Sequence, residues 1–268
     1  MYSDLKSFNT DTENEIYQRE AFIVEYDFFT CTLIFLISFT GYFVKGIAGF
    51  GDPLITAPLM SLFLNNQLIS SNSLLLSLPL NGRIAWKNRD AFSIKPLLPI
   101  LFFMMLGIIP GTLLLKYAES NMIKAFLGIL VIGLGVEMLT RDRAKPLKKN
   151  NAAMAVVNFI SGVTSGVYGI NLFFVAYQER TSKGRDEFRS SICFVFFLEN
   201  IYRLIVYIAS GVLNTGILWL TAVSAPGMVL GFIAGSRVDR RLSEKTIRSI
   251  VIFLFILGGT SILIRSLI

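Results

Sequence analysis

Residues 41–59 of this chain read GYFVKGIAGFGDPLITAPL, an apolar stretch with four glycines in its first eleven residues. Lys45 and Asp52 flank the last three of these glycines. Glycine weakens a helix and lets the backbone approach a ligand closely. In a bilayer, interrupted backbone is tolerated only inside protein or beside a water-filled cavity. The stretch therefore predicts a broken membrane helix next to a buried cavity.

A second, divergent copy of this stretch lies at residues 162–177, GVTSGVYGINLFFVAY. Matching glycine-broken segments in two halves of a chain indicate a transporter's binding site. When the sequence is compared with itself at an offset of 120 residues, increasing to 124 further along, a series of matching residues appears in the same order. This pattern predicts an internal duplication. The coincident pairs include Gly46 with Gly166, Gly49 with Gly169, Arg83 with Arg203, and Gly111 with Gly235.

The composition predicts an all-α polytopic membrane protein. Of 268 residues, 53% are hydrophobic and 16% charged, with a mean hydropathy of +0.62. Soluble domains carry about 25% charged residues, and a spanning helix needs about 20 apolar ones. Long uncharged runs are present at residues 53–82, 96–115, 152–178, 204–236 and 249–264.

Basic loops predict how the segments are oriented. Four Lys or Arg residues lie in 83–95, five in 141–149, four in 180–189 and five in 237–248, and we assign all four loops to the cytoplasm. Residues 152–178 lie between two of these loops but number only 27, too few for two crossings. They therefore predict a re-entrant hairpin. The counterpart at residues 28–64 is longer, and either a hairpin or two tilted crossings fits it.

The resulting fold is an inverted repeat. Each half has one glycine-broken hairpin and three transmembrane helices, about eight hydrophobic segments in all. An odd number of crossings per half turns the second half upside down and puts both termini outside. We assign residues 1–27 to a polar tail without a removable signal peptide, 28–143 to the first repeat, 144–151 to a basic cytoplasmic linker and 152–268 to the second repeat.

Several ligand classes find no support in the composition. The net charge of +7 is explained by loops that flank apolar spans, so no nucleic-acid partner is expected. The chain has no His, and Cys31 and Cys193 have no ligand spacing. We expect no metal or cofactor, and no nucleotide-binding loop is present.

Four motifs together resemble a known family. They are GIAGFG at residues 46–51 followed by Pro58-Leu59; SGVYGIN at 165–171; Arg189-Ser190 followed by Asn200 and Arg203-Leu204; and Leu230-Gly231 followed by Gly235-Ser236-Arg237 and Leu242-Ser243. In order and spacing, the chain from Phe28 onwards resembles the sulfite exporter TauE/SafE family of membrane permeases. It departs from the family's pattern at Leu172-Phe173, where a Gly-Pro pair is frequent, and at Asp52, where a small residue is more usual.

The resemblance implies a multi-pass permease of the cell membrane for a small sulfur-containing or organic anion, such as sulfite or a sulfonate. A homodimer is a further expectation. We predict a secondary transporter that works by alternating access at a midplane site between the two hairpins. An anion channel on the same scaffold is the alternative, and an intramembrane enzyme a more remote one.

Several polar residues at the breaks have two interpretations each. Lys45 either snorkels to the interface or contacts substrate. Asp52 either caps the helix that follows, with Pro53 at its first turn, or has a coupling or gating role. Arg203 either pairs with Glu199 one turn earlier or lines the cavity with Asn200.

Arg83 is best explained as a residue of a cytoplasmic loop. Asn171, next to the second glycine break, has an amide that either lines the binding site or does not contact it. Half-helix N-termini suit an anion. The predicted substrate-binding set is Lys45, Gly46, Gly49, Gly51, Asp52, Ser165, Gly166, Gly169, Asn171, Asn200 and Arg203, with Glu199 and Asp52 as possible coupling residues.

Overall fold

The computed structural model describes residues 27–87, 89–118, 120–140, 151–182, 185–213 and 216–238, and single positions between 249 and 264. The predicted tail apart from Asp27, the linker 144–151 apart from Asn151, and most of the loop 237–248 lie outside the described residues. Within the described part the chain is helical and has no strand. The helices are α1 (Phe28–Ala48), α2 (Asp52–Met60), α3 (Asn66–Lys87), α4 (Leu98–Tyr117), α5 (Ser120–Thr140), α6 (Asn151–Tyr168), α7 (Leu172–Thr181), α8 (Arg185–Ala209) and α9 (Ile217–Val238).

Among the described residues, four stretches are long and apolar enough to cross a membrane: Phe28–Ala48, Lys95–Tyr117, Glu187–Ala209 and Ile217–Val238. The predicted all-α polytopic class is therefore confirmed. A shorter apolar helix covers Met154–Tyr168. α2 and α7 have 9 and 10 residues, or roughly 15 Å at 1.5 Å per residue. Neither reaches across a hydrocarbon core of about 30 Å.

Both predicted helix breaks occur at glycines in the left-handed region. Gly49 ends α1 with φ of +86°, and its N–H donates to the Lys45 carbonyl. Gly51, with φ of +100°, immediately precedes α2. Gly169 follows α6 with φ of +72°. Glycine reaches these angles without the steric cost that other residues meet. Each half thus joins a long helix to a short one through a glycine turn.

The long helices pack in two pairs at very close range. α1 runs along α9, where a Cβ added to Gly46 would meet the backbone of Phe232, Gly235 and Ser236. α6 runs along α4 in the same way, and Gly166 meets the backbone of Ile108, Gly111 and Thr112. Without a hydrophobic drive between helices in lipid, such small-residue contacts hold helices together.

α3 and α8 pack against each other and together carry about half of the buried polar side chains. The outer surface is apolar: Phe102, Ile205 and Trp219 are each more than half exposed. Polar side chains inside and apolar ones outside suit a lipid solvent. The buried polar residues of these two helices include Ser70, Asn72, Ser73, Ser77, Asn81, Ser190, Glu199, Asn200 and Arg203.

The contact between α4 and α6 makes a testable prediction. In Gly111→Ala the new methyl group meets the Val163 carbonyl and the Gly166 backbone, so we expect overpacking to destabilise the protein by about 1–3 kcal/mol. The measurement is thermal unfolding in detergent. Gly133→Ala in α5 is the matched control, because Gly133 is exposed and no described atom lies within 4 Å of its added Cβ. That variant should be neutral or slightly stabilised. Equal melting temperatures for the two variants would contradict the close approach.

Candidate functional site

The two glycine breaks meet at one cavity in the interior. Its volume is about 20 Å³, counted as space open to the centre of a water molecule. α1, α2, α3, α8 and the turn between α6 and α7 all contribute to its wall. The polar residues of the lining are Lys45, Asp52, Ser73, Ser77, Asn81, Asn171, Glu199, Asn200 and Arg203, and none is more than 6% exposed.

The first break carries a buried ion pair. Lys45 Nζ lies 2.9 Å from Asp52 Oδ1, across the glycine turn. The Ser77 hydroxyl on α3 donates to Asp52 Oδ2 at 2.5 Å and accepts from Lys45 Nζ at 3.2 Å. Because the Ser77 proton is committed to Asp52, the Tyr42 hydroxyl at 3.1 Å donates to Ser77. Every charged atom of this cluster therefore has a partner.

One of the two interpretations of Asp52, and one of Lys45, is wrong. Gly51 occupies the N-cap of α2, and no side chain caps this helix. Asp52 is the first helical residue, and its carboxylate turns back to Lys45 instead. Lys45 does not snorkel to the interface, because its side chain is 1% exposed and its ammonium group is held by Asp52 and Ser77. Both residues line the cavity.

The second break carries a carboxylate held mainly by neutral donors. The Ser165 hydroxyl donates to Glu199 Oε1 at 2.6 Å, and Asn171 Nδ2 donates to Glu199 Oε2 at 3.3 Å. Asn171 is the N-cap residue of α7 but makes no side-chain cap. Glu199 thus joins α8 to both sides of the break between α6 and α7.

Arg203 fits both interpretations predicted for it. Its Nε lies 3.8 Å from Glu199 Oε1, which is the expected i,i+4 ion pair. Nη1 donates to the Ser165 carbonyl at 2.7 Å, and Nη2 donates to Asn200 Oδ1 at 3.2 Å. Nε itself has no hydrogen-bond partner among the described residues, and the side chain lines the cavity. Arg203 is therefore a fully buried cation whose Nε–H makes no hydrogen bond to any described residue.

The formal charges around the cavity cancel. Lys45 and Arg203 supply two positive charges, and Asp52 and Glu199 supply two negative ones. The amide oxygens of Asn81 and Asn171, both at the cavity, have no partner within the described part of the chain. Buried polar groups are nearly always satisfied in proteins, so these two oxygens and Arg203 Nε are exceptions, and all three residues line the same cavity.

Some predicted site residues lie away from the cavity. Gly46 and Gly166 serve the helix contacts with α9 and α4, and Gly49 lies against the Arg189 side chain. Ser165 reaches the site through its bond to Glu199. Arg83 is exposed, but it lies on α3, one turn before the helix ends, rather than in a loop. Gly51, Gly169, Asn171 and Asn200 line the cavity.

The sequence analysis did not select Ser77, Asn81, Tyr42 or Arg189 as site residues. The polar run of α3, NQLISSNSLLLSLPLN at residues 66–81, was the available signal, because serine and asparagine in a membrane helix call for buried partners. Periodicity alone does not say which of them face a cavity. Among the described residues no cluster of three or more metal-ligating side chains is present.

Two arginines of α8 each hold one of the broken helices. Arg189 Nη2 donates to the Gly46 carbonyl at 3.0 Å, near the end of α1. Arg203 does the same for the Ser165 carbonyl near the end of α6. The two arginines are fourteen residues apart, close to four helical turns and roughly 21 Å along the axis. They therefore lie on the same face of α8, which holds both breaks at once.

Comparison with known proteins gives one match. The model of the family described as sulfite exporter TauE/SafE matches residues 33–262, which covers nearly all of the chain beyond the predicted tail and confirms the resemblance drawn from the motifs. That family comprises membrane transporters of sulfite or related anions. Searches of curated proteins and of solved structures found no match.

Gly169 tests the contact between the second break and Arg203. Both Gly169 and Gly211 have φ near +70°, so alanine at either position costs about 1–2 kcal/mol of left-handed strain. At Gly169 the added Cβ would also lie 2.5 Å from Arg203 Nη1, whereas no described atom lies within 4 Å at Gly211. We expect Gly169→Ala to lower the melting temperature clearly more than Gly211→Ala. Equal losses would mean that Arg203 does not rest against the break.

The Lys45–Asp52 pair predicts strong coupling. Lys45→Met leaves a buried carboxylate without its cation, which costs about 3–5 kcal/mol. Lys45→Met combined with Asp52→Asn removes both charges and should recover most of that loss. A double-mutant cycle in detergent measures the interaction energy, with Arg83→Gln as a charge-removing control on the surface. Additive effects of the two substitutions would show that the pair does not form.

Proposed function

We propose that this chain, which belongs to the sulfite exporter TauE/SafE family, is a secondary transporter that moves a small anion through the cavity between its two glycine breaks. The expected substrate is a sulfur-containing or organic anion such as sulfite or a sulfonate. We place the protein in the plasma membrane as a multi-pass carrier and expect it to work as a homodimer. No nucleic acid or cofactor takes part.

The observation that carries this proposal is the pair of buried cations at the cavity. Taking an ion out of water costs several kcal/mol even when it is paired, and ionisable residues inside a membrane protein mark substrate or ion pathways. Lys45 and Arg203 come from different halves of the chain and line the same small space. If Lys45 and Arg203 served only to fill space, apolar residues of similar volume would do so without the desolvation penalty of a buried ion.

Each predicted site residue receives a role in this scheme. Lys45 and Arg203 contact the anion, and Asn171 and Asn200 orient it by hydrogen bonds. The backbones of Gly51 and Gly169 allow it to approach the broken helices closely. Asp52 and Glu199 hold the two cations in the empty site and are available for coupling. Four further residues hold the broken helices in place without contacting the anion: Gly46, Gly49, Ser165 and Gly166.

We further propose that residues 28–143 and 152–268 form an inverted repeat. The glycine contacts support this arrangement, because Gly46 meets Gly235 and its counterpart Gly166 meets Gly111. Each pair joins a broken helix of one half to a continuous helix of the other. Alternating access would then arise from one half rocking against the other about the site.

The size of the cavity favours a carrier over a channel. About 20 Å³ of water-centre space holds one or two water molecules, which is too little for sulfite with its four heavy atoms. The polar lining is at most 6% exposed. Substrate entry therefore needs a conformational change, which alternating access would supply.

The test uses purified protein in proteoliposomes loaded with sulfite. We expect saturable uptake of labelled sulfite with counterflow, and sulfite or a sulfonate should raise the melting temperature of the detergent-solubilised protein. The double variant Lys45→Met/Asp52→Asn keeps the site neutral and should lose both effects. Arg83→Ala, on the exposed side of α3, serves as the matched control and should transport normally.

Three results would count against the proposal. Normal flux in the Lys45→Met/Asp52→Asn variant would remove Lys45 from the substrate path. Single-channel currents without counterflow would identify the pore alternative. Absence of binding and flux for sulfite, sulfonates and small carboxylates alike would contradict an anion carrier.

A further inference from the structure

The charge balance of the cavity limits what it can bind. Lys45, Arg203, Asp52 and Glu199 sum to zero, and each is at most 2% exposed. An anion that enters without compensation leaves one buried negative charge unpaired, which is strongly unfavourable. It also competes with two carboxylates for the same two cations. Neutrality is restored if one carboxylate takes up a proton as the anion binds.

Geometry distinguishes the two carboxylates. Asp52 receives a direct 2.9 Å bond from the Lys45 ammonium group and a 2.5 Å bond from Ser77. Glu199 receives its bonds from the neutral donors Ser165 and Asn171. Its cation, Arg203, lies 3.8 Å away and makes no hydrogen bond through Nε. The charge of Glu199 is therefore the one less firmly compensated.

The surroundings of Glu199 also accommodate the protonated form. A carboxylic acid O–H on Oε1 can donate to the Ser165 hydroxyl oxygen, which lies 2.6 Å away. The Ser165 hydroxyl then turns its own proton to another acceptor. Arg203 keeps its bonds to the Ser165 carbonyl and Asn200. Its Nε, which makes no hydrogen bond to any described residue, then has a neutral acid in place of the Glu199 carboxylate as its neighbour.

We propose, on the basis of the anion-carrier function above, that Glu199 takes up one proton for each anion that binds beside Arg203, so that anion and proton cross the membrane together. The proton comes from the aqueous phase on the side where the anion enters. It converts the Glu199 carboxylate to the neutral acid, and the anion replaces that carboxylate as the partner of Arg203. The site is neutral before and after, and both are released on the other side.

The other ionisable groups near the cavity have different assignments. Asp52 at the start of α2 and Lys45 on α1 compensate each other. On α8 itself, the Tyr207 hydroxyl donates to the Gly166 carbonyl at 2.7 Å. The polar residues that α3, α6 and the start of α7 place at the cavity or against Glu199 are neutral amides and hydroxyls: Ser73, Ser77, Asn81, Ser165 and Asn171.

The first experiment measures binding linkage in detergent. The probe is methanesulfonate, which stays fully ionised near neutral pH and cannot bring its own proton. We expect its affinity for the wild-type protein, read from thermal stabilisation, to weaken about tenfold per pH unit where the empty site is ionised. Binding in weakly buffered solution should take up about one proton per anion. Sulfite itself changes protonation state with pH. For sulfite, the dependence of affinity on pH is therefore compared between the wild type and Glu199→Gln.

Glu199→Gln mimics the protonated form, so its affinity for methanesulfonate should not depend on pH, whatever its strength. Infrared difference spectra of the wild type identify the carboxyl group that takes up the proton. The protonated-carboxyl band that appears on methanesulfonate binding should shift when glutamate is 13C-labelled and not when aspartate is. In proteoliposomes, an inwardly directed proton gradient should drive uphill anion uptake by the wild type and not by Glu199→Gln.

The outcomes distinguish this inference from the function on which it rests. Anion binding and flux in the wild type without pH linkage or proton uptake would overturn proton coupling and leave the carrier function standing. A slope kept in Glu199→Gln, or a carboxyl band that shifts only with labelled aspartate, would refute the role of Glu199. Absence of any anion binding would refute the carrier function itself. If Glu199→Gln does not fold, the wild-type slope and proton count decide the matter.

Discussion

The structure depends on the need to pair four charges inside a bundle whose outer surface faces lipid. Lys45, Asp52, Glu199 and Arg203 have almost no contact with solvent, so each requires a counter-charge and hydrogen bonds to offset desolvation. The broken helices supply those partners. The turn at Gly49–Gly51 brings Lys45 and Asp52 face to face, and the end of α6 offers the Ser165 carbonyl to Arg203. The Ser165 carbonyl accepts from both the Gly169 N–H and Arg203, using both of its lone pairs.

This constraint explains why α8 contacts both helix breaks. It provides Glu199 and Arg203 to the second break and Arg189 to the first, so a single rigid element fixes both. The neighbouring long helices approach α1 and α6 through glycine contacts, such as Gly46 with Gly235. Tight packing on the outer side and hydrogen bonds on the inner side hold each broken helix at two surfaces. A shift of α8 would therefore displace its hydrogen bonds to both breaks at the same time. This gives a physical basis for coupling the movements of the two breaks.

Individual residues show where local reasoning succeeded and where it failed. The Glu199–Arg203 pair follows from i,i+4 spacing on one helix, and the sequence contains that information directly. The Asp52-Pro53 dipeptide is a common start of a helix, but Gly51 takes the cap position because only glycine reaches φ of +100° there without cost. Because Gly51 already occupies the N-cap of α2, the Asp52 carboxylate pairs with Lys45 instead. Ser77, which lies 25 residues after Asp52 on α3, donates a hydrogen bond to that carboxylate. Its neighbours in the sequence do not distinguish it from the other serines of α3.

The sequence by itself determined the membrane class, the positions of both helix breaks and the family, because hydropathy, glycine angles and motif order are properties of neighbouring residues. Only the tertiary structure decided that the two breaks share one neutral cavity, with Lys45 and Asp52 on one side and Glu199 and Arg203 on the other. Those groups lie some 150 residues apart in the chain, and their distances depend on how glycine-lined helices dock. Docking is a sum of many weak contacts across the whole bundle, so no local pattern contains it.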